Sequence, residues 1–146
     1  MEWEVDFTEE FETWWNDLTL SEQEAVNAKV MLLQKIGPLL SRPHANVLHA
    51  SRHPNMKELR IPHSGRPYRV LVGFDPRRCA MLLIGGDKTG NDRWYEEFVP
   101  LADDLYDAAS GEHEKGRKIK WLKTSKNFNQ KCLWNRAFAA KRELRK

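Results

Sequence analysis

Between Glu58 and Tyr95 the sequence spaces an acid, two arginines, a lysine and a tyrosine so that a small sheet could gather them. Met56-Lys57-Glu58-Leu59-Arg60-Ile61 alternates, which places Met56, Glu58 and Arg60 on one strand face and Lys57, Leu59 and Ile61 on the other. Arg69 stands in the otherwise apolar run Tyr68 to Phe74, where a charge is costly to bury without an anionic partner. Lys88 follows Gly85-Gly86-Asp87, and Trp94 and Tyr95 open the next helical stretch. A concave surface holding Arg60, Arg69, Lys88 and Tyr95, with Glu58 nearby, is suited to breaking an RNA phosphodiester without a metal or any other cofactor. The guanidinium and ammonium groups would stabilise charge that develops on the phosphate oxygens. Tyr95 or Glu58 would take or give a proton, the tyrosine as a base only if cationic surroundings lowered its pKa.

Other residues fit a binding role. Arg66, Arg77 and Arg78 are general phosphate contacts or surface turn residues, and Trp94 or Tyr95 could stack on a splayed base. Each has a plainer reading. Arg69 could be paired structurally with Glu58 or Asp75, Lys88 could be a solvated loop lysine, and the aromatics could be core. His44, His49 and His53 match no zinc spacing, so no metal site is expected. Neither Ser64-Gly65 nor Gly85-Gly86 leads into the Gly-Lys-Ser/Thr of a phosphate loop.

The elements that must position these residues follow from period and punctuation. Trp3 and Val5 alternate with acids, as in a short strand. Thr8 caps a helix over about 9–16, whose apolar stripe is Phe11, Trp14, Trp15 and Leu18. Ser21 and Glu24 form a capping box for a second helix, which Gly37-Pro38 stops. Three prolines keep residues 38–55 irregular. Strands at 56–61, 68–74 and 79–85 then form an antiparallel meander, joined by a loop at 62–67 and a turn at 75–78. A short helix starts at Asn91 or Asp92, and Pro100 resets the chain into a last helix over about 101–109. The expected class is α+β, with an N-terminal strand and two antiparallel helices packed on a small antiparallel sheet.

The charge distribution divides the 146 residues further. Residues 1–51 carry three basic and nine acidic side chains, and 52–93 carry nine and four. Residues 94–109 carry none and five, and 110–146 carry twelve and three. This predicts a domain over 1–109 and a basic C-terminal extension over 110–146, flexible or helical, with an amphipathic stretch at 130–145. Blocks of positive charge suit phosphate backbones or acidic proteins. The acidic N-terminus has no signal-peptide pattern and no apolar run could span a bilayer, which predicts a cytoplasmic chain without a membrane partner. Two cysteines, Cys79 and Cys132, suggest no disulfide framework.

The strings Glu58-Leu59-Arg60-Ile61, Gly65-Arg66-Pro67-Tyr68-Arg69-Val70-Leu71, Phe74-Asp75-Pro76 and Gly86-Asp87-Lys88-Thr89 resemble the core signature of the RelE/HigB toxin superfamily, in particular its phage-derived HigB-like group. The resemblance covers about residues 1–109. It implies a toxin of a toxin–antitoxin module: an endoribonuclease that cuts mRNA on the ribosome and inhibits translation. Its partners would be the ribosome, mRNA and a cognate HigA-like helix-turn-helix antitoxin. It also implies that Arg69 contacts the scissile phosphate, with Arg60 and Lys88 at the family's other basic positions and Tyr95 near its aromatic at the start of the last helix. Several members carry a catalytic histidine or tyrosine at the C-terminus, and no equivalent histidine is present here. A second reading keeps the fold without the chemistry, as a non-catalytic module that binds RNA or an antitoxin.

Overall fold

The amphipathic patterns resolve into a five-stranded sheet with helices on both faces. The computed structural model describes residues 3–75 and 78–114. In chain order the elements are β1 (Glu4–Phe7), α1 (Glu9–Asn16), α2 (Leu20–Ile36), a 3-10 turn (Gly37–Leu39), β2 (Ala45–Val47), β3 (Met56–His63), β4 (Arg66–Asp75), β5 (Cys79–Asp87) and α3 (Trp94–Glu114). Helix α3 runs past residue 109, and the rest of the 110–146 segment lies outside the described residues.

The strand order is β1-β5-β4-β3-β2. The meander of β3, β4 and β5 is antiparallel, as its alternating sequence and short turns require. Two features depart from expectation. The N-terminal strand joins the sheet as a parallel edge beside β5, and β2 forms within the proline-broken segment as an antiparallel edge beside β3. The β3–β4 loop is also tighter than the expected 62–67. His63 still pairs with Arg66, and only Ser64 and Gly65 turn the chain, both with positive φ (51° and 77°). A two-residue turn of that kind matches the twist of the strands it joins, and glycine takes its second position without strain.

Alternation along the strands builds two cores. Val70, Val72 and Phe74 of β4 point with Leu59, Ile61, Ala80 and Leu82 toward α1 and α2, which supply Phe11, Trp15, Val26, Val30 and Leu33. Leu71 points the other way with Met56, Met81 and Leu83, beneath Trp94, Val99 and Ala102 of α3. One irregularity sets the phase of β5. Val72 pairs with Leu82 and Leu71 with Ile84, so Leu83 is a bulge residue. Beyond it, Ile84 and Gly86 face α3, and Gly85 faces Trp14 of α1.

Two local expectations shift. The capping box of α2 is Thr19 with Glu22, not Ser21 with Glu24. The Thr19 hydroxyl accepts from the Glu22 N–H, and Glu22 accepts from the Thr19 N–H at 2.7 Å. Pro100 does not end a helix but sits inside α3. It is exposed, and the buried Trp94, Val99 and Ala102 on the opposite side hold the helix together across the one hydrogen bond that proline removes. The loop before β3 is fastened to α3 by Arg52, which meets Asp104 at 3.1 Å and also pairs with Asp107, and by His53, whose ring lies tilted against Tyr106 with centroids 4.8 Å apart.

Candidate active site

Helix α3 lies across β4 and β5, and its first turn, with Tyr95, ends beside the β3–β4 pair. Glu58, Arg60 and Arg69 come together there. Arg60 and Arg69 are direct cross-strand partners, so their side chains leave the sheet on the same face, and Glu58 shares that face two residues before Arg60. Like charges directly opposite destabilise a sheet. Glu58 offsets that repulsion: its Oε1 accepts from Arg60 Nε at 3.2 Å, and its Oε2 lies 3.9 Å from Arg69 Nε. The carboxylate is 4% exposed, Arg69 is 12% exposed and Arg60 is 33% exposed, so the carboxylate forms the floor and the guanidiniums the rim. A second bond fixes Arg69, whose Nη1 donates to the Tyr68 carbonyl at 3.0 Å.

Lys88 and Tyr95 complete the group. The Lys88 N–H extends the ladder by donating to the Pro67 carbonyl at 3.1 Å, and its ammonium stands 4.9 Å from the centre of the Tyr95 ring. Burial pushes the Tyr95 hydroxyl above the ordinary phenol range, a hydrogen bond with Glu58 pushes it the same way, and Arg69 opposes them. The direction is the reverse of the lowered pKa that a cationic site suggests from sequence alone, so the tyrosine keeps its proton at neutral pH as an ordinary phenol does. Three cations stand against one carboxylate, and the excess positive charge lies on an open face where a phosphodiester could bind. Among the described residues no group of three or more His, Cys, Asp or Glu is placed to hold a metal ion. His44 contacts Lys29 at 2.7 Å and His53 pairs with Asp107 at 2.8 Å, in separate parts of the fold.

Comparison with known proteins agrees with this architecture. Residues 13–107 match the family described as phage-derived protein Gp49-like. The chain belongs to that family. It is 43% identical over 93 residues to the Mycobacterium tuberculosis protein named as toxin HigB3, an alignment covering 63% of this chain and 80% of the relative. It is 39% identical over 106 residues to the protein of the same organism named as toxin HigB2, covering 71% of this chain and 52% of that protein, so it spans about half of HigB2. A double mutant of the Escherichia coli toxin RelE, in the free state, has the same fold, with a TM-score of 0.52 at 17% identity, covering 67% of this chain and 96% of RelE. The protein is thus a toxin of the RelE/HigB superfamily, and no helix among its described residues is long and apolar enough to cross a membrane.

In this Gp49-like chain the structure brings together Glu58, Arg60, Arg69, Lys88 and Tyr95. The residues given a binding role from sequence fall elsewhere. Trp94 is corrected outright: it is 1% exposed, stacked on Phe98 at 4.8 Å, and offers no ring face to a base. Arg66 is at the same end of the sheet but on the α1–α2 face, 4.0 Å from Asp87. Arg78 lies in the β4–β5 turn, with its guanidinium 5.0 Å over the Trp3 ring. Asp75 at that turn is six residues from Arg69, about 20 Å along an extended strand, so Arg78 does not reach the site. Arg77 is outside the described residues. Sequence reasoning missed Gly86, the cross-strand partner of Arg69. A Cβ there would stand 2.8 Å from Trp94 Nε1, so the glycine lets the start of α3 settle close enough to hold Tyr95 beside the arginines. The adjacent pair Gly85-Gly86, each against a tryptophan, was the available signal.

Proposed function

We propose that this toxin is a metal-independent endoribonuclease that cuts mRNA on the ribosome and so inhibits translation. The observation that carries the reading is Glu58 between Arg60 and Arg69 on an open sheet face, with Lys88 and Tyr95 alongside. In the reaction the 2′-oxygen of the ribose attacks the adjacent phosphorus, the bond to the 5′-oxygen breaks, and the products are a 2′,3′-cyclic phosphate and a free 5′-hydroxyl. Arg69 and Arg60 hold the non-bridging oxygens as charge builds on them, and Lys88 adds a third positive charge. Tyr95, protonated at neutral pH as any phenol whose pKa is not lowered is, donates to the departing 5′-oxygen. Glu58 orients both guanidiniums. As the carboxylate of the group it would accept the 2′-hydroxyl proton as the attack proceeds.

The partners that follow are the ribosome with its mRNA and a cognate antitoxin, a HigA-like helix-turn-helix protein. The test is cleavage by purified toxin, stripped of metal beforehand with chelator, on programmed ribosomes in magnesium buffer with no other divalent metal added. Fragments ending in a cyclic or 3′-phosphate, formed only when ribosomes are present, are expected. Salt-sensitive RNA binding with no broken bond would instead identify a non-catalytic binding module.

A further inference from the structure

The cations outside the site fall into two kinds. Among the described residues, Arg52, Arg66 and Arg93 each stand within ion-pair distance of a carboxylate. Lys29, Arg42 and Lys57 do not: Lys29 meets His44, Arg42 meets Asn46, and Lys57 donates to the Leu40 and Pro38 carbonyls. All three lie in residues 25–57, which contain no aspartate or glutamate; Arg52, in the same stretch, finds its carboxylates on α3. The structure folds this acid-free stretch onto the β2 edge, next to the strand that carries Glu58 and Arg60.

Register decides where the edge points. Asn46 is the cross-strand partner of Glu58, so its side chain leaves the sheet on the face of Arg60 and Arg69. Arg42 Nε donates to Asn46 Oδ1 at 3.3 Å, which draws the exposed guanidinium to this edge while its remaining N–H groups face no carboxylate. A cavity of about 320 Å³ at this edge is lined by Ser41, Arg42, Ala45, Asn46, Val47 and Lys57, the last from the opposite face. Neighbouring strands are about 4.8 Å apart, so Asn46 on β2 stands one strand from Glu58, and Arg42, from the loop before β2, is tied to the sheet edge beside the Arg60–Glu58–Arg69 group. An RNA strand whose scissile phosphate lies on Arg60 and Arg69 could carry a neighbouring phosphate to that edge.

We propose that Arg42, held by Asn46 at the β2 edge, forms a second phosphate subsite that binds the RNA strand beyond the scissile phosphate. This rests on the nuclease reading of the Arg60–Arg69 site. Asn46, which holds Arg42, is the direct cross-strand partner of Glu58 in that site, and this adjacency favours the RNA strand over an acidic protein as the occupant.

The experiment is fluorescence anisotropy of a short single-stranded RNA with 2′-O-methyl riboses, which cannot be cut, titrated with the full-length chain across a salt series. Wild type is compared with Arg42→Ala, Arg42→Lys, Arg69→Ala and Arg78→Ala. Losing one phosphate contact on a single strand should weaken binding by roughly tenfold at moderate salt and flatten the salt slope by about 0.7, whatever the RNA sequence. Arg42→Ala and Arg69→Ala should each show that loss, Arg42→Lys should recover most of the slope, and Arg78→Ala should match wild type. Wild-type affinity and slope in Arg42→Ala, with the loss intact in Arg69→Ala, would overturn the second subsite and leave the nuclease reading standing. If neither variant changed the slope, both would fall together. Arg42 is exposed and belongs to neither core, so the variant should fold, and an unchanged melting temperature would verify it.

Discussion

The two faces of the sheet use the same strands to opposite ends. On the α1–α2 face, alternate residues of β3, β4 and β5 are apolar, and the helices cover them with Phe11, Trp15, Val30 and Leu33. On the α3 face the apolar pattern holds at Met56, Leu71, Cys79, Met81 and Leu83, where α3 covers the sheet. Past the start of α3 the same alternation presents Glu58, Arg60 and Arg69 instead. One face is closed for stability, and the other is left half open with charges already aimed by a buried carboxylate. The contrast teaches that the catalytic candidates need not hold the fold together, while the residues that do are remote from the phosphate.

Substitutions that separate the two faces test this contrast most strongly. Arg69→Ala should lower cleavage roughly 10²–10³-fold, in the manner of removing one oxyanion donor, with little change in melting temperature. Leu33→Ala, buried on the opposite face, should cost about 2–5 kcal/mol in denaturant unfolding through the cavity it leaves, while any folded fraction keeps normal activity. Tyr95→Phe removes the proposed proton donor and should slow single-turnover cleavage by about 10²-fold without weakening RNA binding. In the wild type, activity should persist to higher pH than an ordinary phenol would permit, because the raised pKa keeps Tyr95 protonated. A rate that fell already near neutral pH with the ionisation of Tyr95 would contradict the raised pKa.

The closed face has its own pH signature, smaller in size. Glu22 is held below the usual carboxylate range by its hydrogen bond from Tyr68 and then by the Thr19 N–H. A carboxylate with a depressed folded pKa stabilises the protein above its unfolded pKa, and that contribution disappears as pH falls through the folded value. The melting temperature should therefore drop as the solution is acidified below about pH 4.5, and less steeply in Glu22→Gln. Smaller still, Thr19→Ala should cost about 1 kcal/mol through the lost cap. Ser21→Ala, at the residue first expected to cap, should cost less.

How far the sequence discloses the molecule follows the same division. The alternation Met56 to Ile61 already separates Glu58 and Arg60 from Leu59 and Ile61, and the tight turns of the meander require β4 to lie between β3 and β5. What stayed hidden depends on contacts distant in sequence. β2 is three residues long and forms because β3 offers it a partner. Pro100 remains within α3 because buried neighbours outweigh one missing hydrogen bond. Thr19-x-x-Glu22 and Ser21-x-x-Glu24 both fit a capping box, and only the extended backbone at Thr19 selects the first. Trp94 reads equally well as a stacking platform or as core until the Leu83 bulge turns Gly86 beneath it. The Arg60–Glu58–Arg69 bracket was legible as a set of residues but not as an arrangement, since the Arg60–Arg69 register and Tyr95's raised pKa appear only once the sheet and α3 are assembled.

The most direct test of the central claim is induced expression in a bacterial host of wild type beside Arg69→Ala, with growth followed and mRNA ends mapped by primer extension. The account predicts growth arrest and new ends within translated reading frames for wild type, and neither for a soluble, folded Arg69→Ala. Equal toxicity and the same new ends from both proteins would contradict it.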